Sequence, residues 1–469
     1  MSLPANISKV YFIGIGGIGM SALARYFLSR GAAVSGYDKT PTPITKQLEN
    51  EGANIHFTDD TSLIDKQADL VIYTPAIPFG HSELNWFREK NYPVKKRSDV
   101  LSSITSDGFN ICIAGTHGKT TMSVMTAFLL RETGYGCNAF LGGVSVNYDT
   151  NYWSGNNNVN VVEADEYDRS FLKLSPDIAL VSALDADHLD IYGDVEKMRQ
   201  AFYEFAGKTK PNGLLITKYG LTFPDNSCKH IRYSVQNSSA DVHSQNIKLA
   251  EGGYTFDVIG EGWSVSGLQL HMGGMHNVEN AVASVAIAHY LNIDHQKIAG
   301  ALKEFKGIKR RFEYVVNLKD ARNFKHNVVY IDDFAHHPEE LKSLLQGARS
   351  LFNNRWITVI FQPHLYSRTK DFAEAFATTL SIANRVILLP IYPARELPVE
   401  GVTSKMIADK MDSEKVSIME KEACLKWLST EYLNNTGKSG EGDVLITAGA
   451  GNIDQMIKPI KEIITGKQN

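Results

Sequence analysis

The chain has 469 residues, 43% of them apolar, which is enough for about three domains with a core each. Forty-eight Lys and Arg against 52 Asp and Glu leave a formal net charge of −4, so no basic surplus marks it for nucleic acid or an anionic bilayer. Cys112, Cys137, Cys228 and Cys424 are scattered and no apolar run reaches bilayer length, which argues against a disulfide framework, a structural zinc site or membrane insertion. The expectation is a soluble cytoplasmic protein, monomer or homodimer.

Val10 to Ile13 predicts a short buried strand. Gly14, Gly16, Gly17 and Gly19 follow it, then a helical apolar pattern through Met20, Leu23 and Phe27 that stops at Gly31. A second strand over 33–36 leads to Asp38, about where a ribose-binding acid stands in a dinucleotide fold. This is a Rossmann-like opening. The backbone from Gly14 through Ile18 to Met20 can approach a pyrophosphate at a helix N-terminus. A nicotinamide dinucleotide and a UDP-linked sugar share that pyrophosphate, so the motif leaves an oxidoreductase open. Thr74 starts a Pro-containing turn after the strand over 70–73, at the strand end where ligands of open α/β sheets sit. The polar stretch from Ser106 to Phe109 is the first expected domain boundary.

Ile111 to Ile113 reads as a buried strand. It breaks into Gly115-Thr116-His117-Gly118-Lys119-Thr120-Thr121 and resumes as an apolar helix. The first glycine of the longer P-loop pattern is replaced by Ile113, leaving the shorter Gly-x-x-Gly-Lys-Thr. Its chemistry is still that of an anion cradle. Backbone amides face the phosphates, Lys119 can neutralise the β/γ oxygens, and a threonine hydroxyl can ligate Mg²⁺. The strand over 159–162 ends in Glu163, Asp165, Glu166 and Asp168, four carboxylates in six residues. Such a group is costly after an apolar run unless solvated, paired or bound to metal. The strand over 178–184 ends in the same manner, with Asp185, Asp187, His188 and Asp190. Parallel strands bring both tips beside the phosphate cradle, so a Mg²⁺ site is expected there, with His188 as ligand or orienting group. The region 231–270 alternates in the manner of antiparallel β-structure. Asn277 and Asn280 then open an Ala-rich helix on one face, to cap it or to reach a nucleotide.

The basic run from Lys309 to Arg311 marks the hinge into a third α/β region. Strands there end in Asp332-Asp333 with His336 and His337, in Gln362 and His364 with Arg368, in a loop bearing Arg395, and in a Gly-rich turn at 449–451. Polar residues at four successive strand ends define one face of a doubly wound sheet.

With these motifs in place the chain resembles the Mur ligases along nearly its whole length. The resemblance rests on Gly14 to Met20, Gly115 to Thr121, Glu163 to Glu166, Asp187 to Asp190, His276 to Asn280, Arg310 to Glu313, Asp332 to Pro338 and Gln362 to His364. It implies three α/β domains: a Rossmann-like UDP-sugar domain over 1–106, a P-loop ATPase-type domain with extra antiparallel strands over 107–312, and a doubly wound C-terminal domain over 313–469. The implied activity is ATP- and Mg²⁺-dependent joining of L-alanine to the carboxylate of UDP-N-acetylmuramate through an acyl phosphate. Carried over, Gly115 to Thr121, Asn277, Asn280, Arg311 and Asp333 serve ATP, and Thr120, Glu166 and His188 hold the metal. Gly14, Gly16, Gly17, Ile18, Gly19, Met20, Asp38 and Thr74 serve the sugar nucleotide. His336, His364 and Arg368 serve the third domain and its amino acid. Lys119, Glu166, His188, Arg311 and His336 form the catalytic set, while the base remains open among His188, His336 and His337. Tyr203 stands where later-acting relatives place a carbamylated lysine, which agrees with an alanine-adding member. Leu365 replaces an arginine of some relatives, which shifts weight to Arg368. A recycling ligase that attaches a tripeptide is the nearest alternative.

Overall fold

The computed structural model describes residues 7–185, 189–250, 252–394, 396–436 and 441–466. Its strands form three sheets. The first contains β1 (Lys9–Ile13), β2 (Ala33–Tyr37), β3 (Asn54–His56), β4 (Leu70–Tyr73) and β5 (Val94–Lys96), in the order β3-β2-β1-β4-β5. All its pairings are parallel. The order reverses between β1 and β4, which opens a crevice at their C-terminal ends. The glycine turn after β1 and Thr74 after β4 both lie there.

The second sheet contains β6 (Phe109–Ala114), β7 (Asn138–Ser145), β8 (Thr150–Trp153), β9 (Val159–Glu163) and β10 (Ile178–Val181). It continues through β11 (Leu214–Lys218), β12 (Lys229–Ser234), β13 (Val242–Ala250), β14 (Gly253–Gly260) and β15 (Trp263–Leu270). Its order is β15-β14-β13-β12-β11-β10-β6-β9-β7-β8. The cradle strand β6 therefore runs between β9 and β10, parallel to both, with Ile113 beside Glu163 and Ala114 beside Val181. Register, not sequence proximity, brings the acid-rich end of β9 to the cradle. One expectation is corrected here. β12 pairs parallel with both β11 and β13, so only β13 to β15, joined by two-residue connections, form the antiparallel extension.

The third sheet contains β16 (Glu313–Val316), β17 (Val328–Asp333), β18 (Trp356–Phe361), β19 (Arg385–Leu388), β20 (Val416–Ile418) and β21 (Asp443–Ala448), in the order β16-β17-β21-β18-β19-β20. Only β16, on the edge, is antiparallel.

These elements divide into two compact units. One comprises 1–245, 257–268 and 279–304, and the other 246–256, 269–278 and 305–469. The first unit holds the first sheet and most of the second, and one apolar core runs through both. Val10, Phe12 and Ile72 belong to the same buried cluster as Cys112, Val162 and Phe202. Tyr26 on the helix Ile18–Ser29 packs against Phe140 and Tyr152, with ring centroids 5.9 and 6.1 Å away. Separating the two sheets would return that apolar area to water at roughly 25 cal/mol per Å². All four cysteines are free and buried. No helix among the described residues is long and apolar enough to cross a membrane.

Candidate functional site

In the first unit, β6 ends in a turn whose two glycines are required by geometry. Gly115 has φ +124°, and a methyl group on it would collide with Ser182 Oγ. Gly118 has φ +80° and would place a Cβ 2.9 Å from Asn280 Oδ1. Both conformations lie where L side chains are strained. The helix Lys119–Glu132 starts directly after Gly118 with no side-chain cap, and the first amides of a helix have no intrahelical acceptor. Ser182 braces the turn by donating to the carbonyls of Ala114, at 3.2 Å, and of His117. Thr116 Oγ1 accepts the Asp185 amide at 3.1 Å, and the exposed His117 lies 3.4 Å from the Asp185 carboxylate. Thr121 is buried in the first helical turn.

Lys119 Nζ donates to Gly115 O at 2.8 Å and to Glu166 Oε1 at 2.7 Å. Glu166 is fully buried, and its other oxygen, Oε2, has no hydrogen-bond partner. The ammonium balances the charge of this buried carboxylate, but one oxygen is left as an unsatisfied acceptor aimed into the site. Thr120 Oγ1 donates to Glu163 Oε1 at 2.9 Å, and the Gly142 amide donates to Glu163 Oε2 at 2.9 Å. A hydroxyl and two carboxylates of this kind are hard oxygen donors, so the residues fit a divalent cation such as Mg²⁺. Behind them, Tyr192 donates to the Glu166 carbonyl at 2.6 Å, and Asp168 and Arg169 have φ of +55° and +52°. Two consecutive non-glycine residues in the left-handed region store strain directly after the acid that holds Lys119. Asp187 and His188 lie outside the described residues. Tyr203 is half-buried, with its ring 5.3 Å from that of Phe223.

A cavity of about 270 Å³ in the same unit joins the crevice of the first sheet to this acid loop. It is lined by Gly17, Ile18, Gly19, Met20 and Thr74 together with Glu163, Asp165 and Asp168. Gly14, at φ +87°, would bring a Cβ to 2.9 Å from Thr74 Cγ2. Asp38 is turned onto the glycine turn itself, its Oδ2 accepting the Gly16 amide at 2.7 Å. The central sheet also grips the helix that the turn opens. Asn151 Nδ2 donates to Ile18 O at 2.6 Å and Ser21 Oγ at 3.0 Å, and Asn151 Oδ1 accepts from the buried Arg25.

The second unit has its own cluster. Arg310 and Phe312 have φ of +62° and +47°, with the exposed Arg311 between them. Arg310 Nε pairs with the buried Asp332 at 3.1 Å and its NH2 donates to Gly449 O at 2.5 Å, while Asp333 accepts the Phe312 amide at 2.6 Å. Arg311 is thus presented on a backbone pinned on both sides. Burial pushes the Asp332 carboxyl up to about 7 against the pull of Arg310, and pushes Asp333 up to about 6 against that of the Phe312 and Ala335 amides. His336 Nδ1 donates to Phe334 O at 3.0 Å and its ring lies 5.7 Å from that of His364. His364 Nδ1, Arg368 NH1 and Gln362 Oε1 are buried without hydrogen-bond partners. Leu365, at φ +70°, bends the chain between them. Asn277, on the first turn of the helix Met275–Tyr290, donates to Gly273 O at 2.7 Å.

Ser182 was not singled out from the sequence, and Glu163, Arg310 and Asp332 were named there only as parts of motifs, without roles of their own. Glu163 heads the acid run, so its position was visible, but its hold on Thr120 depends on the β6–β9 register. The fold and these clusters define a three-sheet α/β protein whose glycine turn at 115–118 lies in one unit with a glycine-rich crevice.

Three protein-family models match the chain: the Mur ligase family catalytic domain over 9–108, the Mur ligase middle domain over 113–288, and the Mur ligase glutamate ligase domain over 310–451. UDP-N-acetylmuramate–L-alanine ligases of Cytophaga hutchinsonii and Parabacteroides distasonis are 45% and 44% identical, over 97% and 98% of this chain and equal shares of their own. The crystal structure of the UDP-N-acetylmuramate–alanine ligase of Thermotoga maritima superimposes with a TM-score of 0.81 at 29% identity, covering 98% of this chain and all of that one. A murein peptide ligase of Psychrobacter arcticus shares the fold, with a TM-score of 0.66 at 21% identity over 99% of this chain and all of its own. The chain belongs to the Mur ligase family.

Proposed function

We propose that the chain joins L-alanine to the lactyl carboxylate of UDP-N-acetylmuramate at the expense of ATP, a step of peptidoglycan precursor synthesis. The observation that carries the reading is the pairing of Lys119, on the glycine turn, with the buried Glu166, in one unit with the cavity under Gly17 to Met20. The printed names of the relatives select alanine and the muramate nucleotide. A carboxylate oxygen attacks the γ-phosphorus, ADP leaves, and an acyl phosphate forms. The alanine nitrogen then attacks the acyl carbon, inorganic phosphate departs and the nitrogen loses a proton. ATP activates the acid, so the protein needs no nucleophile of its own and contributes position and charge.

Lys119 neutralises phosphoryl oxygens, and amides at the start of the helix after Gly118 hold them. Thr120, Glu166 and His188 would hold Mg²⁺, which when bound neutralises phosphate charge. Asn280, against Gly118, orders the turn. For the second unit the reading assigns Asn277, Arg311 and Asp333 to the nucleotide and His336, His364 and Arg368 to the amino acid. The domain limits proposed are 1–106, 107–312 and 313–469. The test is phosphate release with ATP, Mg²⁺, UDP-N-acetylmuramate and L-alanine, omitting one at a time and substituting the tripeptide L-Ala-D-Glu-diaminopimelate for alanine. Full release is expected only with all four. Release that ignores the amino acid, or that requires the tripeptide, refutes the assignment.

A further inference from the structure

The crevice after β1 has too few open donors for the ligand it would receive. The amides of Gly14 and Ile15 both donate to Tyr37 O, at 2.8 and 3.0 Å, and that of Gly17 donates to Gly14 O at 3.2 Å. The Gly16 amide is taken by Asp38, which also adds a negative charge. Met20 and Ser21 donate back to Gly17 O. Among the described residues, only the Ile18 and Gly19 amides in this stretch have no such acceptor. Two amides and a helix dipole of about half a charge do not balance a diphosphate carrying two charges. The cavity wall is otherwise acidic, with Glu163, Asp165 and Asp168.

Arg97 is the one Lys or Arg side chain among the residues lining that cavity. It opens the helix Arg97–Thr105 after β5, and its guanidinium lies against Gly19, where a methyl group would collide with it. Arg97 NH2 stands 3.7 Å from Asp165 Oδ2, beyond hydrogen-bond length, and the two side chains are 22% and 41% exposed. Asp165 has a second tie, the Tyr167 amide on its Oδ1 at 3.1 Å, so it keeps a donor when Arg97 leaves. A loose, half-exposed pair of this kind contributes little. A bidentate guanidinium–phosphate contact is worth more.

We propose that Arg97 is the cation that grips the diphosphate of the sugar nucleotide, and that it exchanges Asp165 for that ligand on binding. The proposal rests on the sugar-nucleotide reading above and adds to it a residue and a switch of partners. Entry of the ligand thereby loosens one tie between the first sheet's region and the acid loop that carries Glu166.

The experiment measures dissociation constants of UDP-N-acetylmuramate, UDP and uridine for the wild type, Arg97→Ala, Arg97→Lys and Asp165→Asn. Arg97→Ala is expected to weaken both diphosphates roughly 10- to 100-fold and uridine less than about twofold, and Arg97→Lys to recover part of the loss. Asp165→Asn, which removes the competing anion, is expected to bind UDP as tightly as the wild type or tighter. Equal weakening of all three ligands by Arg97→Ala would show a structural role and overturn the proposal. Unchanged UDP binding in Arg97→Ala, or weakened UDP binding in Asp165→Asn, overturns it as well. Wild-type protein that binds neither diphosphate overturns the sugar-nucleotide reading along with it, whereas wild-type binding that Arg97→Ala leaves intact overturns the arginine's role alone.

Discussion

Glu83 offers a quantitative test of how the first sheet's region is built. It is fully buried. Its Oε2 accepts the Tyr11 phenol at 2.6 Å, while Oε1 accepts the Asp60 amide at 3.2 Å and lies 3.6 Å from His56 Nε2. Burial pushes the carboxyl from its ordinary 4.5 up to about 7, in spite of the Tyr11 and Asp60 donors. At about 1.4 kcal/mol per pH unit, the ionised form costs about 3 kcal/mol more in the folded chain than in the unfolded one. The folded value lies above the unfolded one, so this group's contribution is full below pH 4.5 and is lost as the pH rises through 7. Glu83→Gln keeps the shape and removes the titration. The stability of the variant relative to the wild type should therefore improve by about 3 kcal/mol between pH 4 and pH 8. Burial also lowers the values of His56 and His81, which titrate in both proteins. Urea unfolding at pH 4, 6 and 8, followed by tryptophan fluorescence, gives that difference directly, since Trp86 sits on the same helix as Glu83. A difference that stays flat, or that moves against glutamine as the pH rises, refutes the reasoning.

Lys119→Ala should lower turnover by several orders of magnitude while leaving the dissociation constant for UDP-N-acetylmuramate nearly unchanged; equal loss in both contradicts the division of labour proposed. Gly115→Ala, which forces a side chain into φ +124° and against Ser182 Oγ, should destabilise the fold by about 1–3 kcal/mol and raise the KM for ATP, read by thermal unfolding and steady-state kinetics. Glu166→Gln removes the buried anion and should raise the Mg²⁺ concentration needed for half-maximal turnover at least tenfold. An unchanged Mg²⁺ requirement removes Glu166 from the metal site. Asn151→Ala, which cuts the grip on Ile18 and Ser21, should raise the KM for the sugar nucleotide while sparing that for ATP, and equal rises in the two would refute that coupling.

The local motifs were legible because their chemistry is contiguous in the chain. Gly115 to Thr121 needs only its own strand, turn and helix to make a cradle, and Gly14 to Met20 needs only its own. The acid run at 163–168 announced itself by the cost of four carboxylates after an apolar strand. What these residues do to one another was not legible. Glu166 could equally have faced solvent, and only the placement of β9 beside β6 sets its carboxylate on Lys119 and that of Glu163 on Thr120. Strand pairing between segments about fifty residues apart is decided by which apolar faces bury together, and no local pattern encodes it. The same limit explains β12, whose alternation reads alike in parallel and antiparallel neighbours, so the crossover to β13 decided its direction. Arg97 and Asp38 show the limit at the level of single side chains. In sequence one is an unremarked basic residue after a short strand and the other a plausible ribose ligand. The tertiary structure sets the arginine against Gly19 and folds the aspartate onto Gly16, because each answers to a backbone more than twenty positions away.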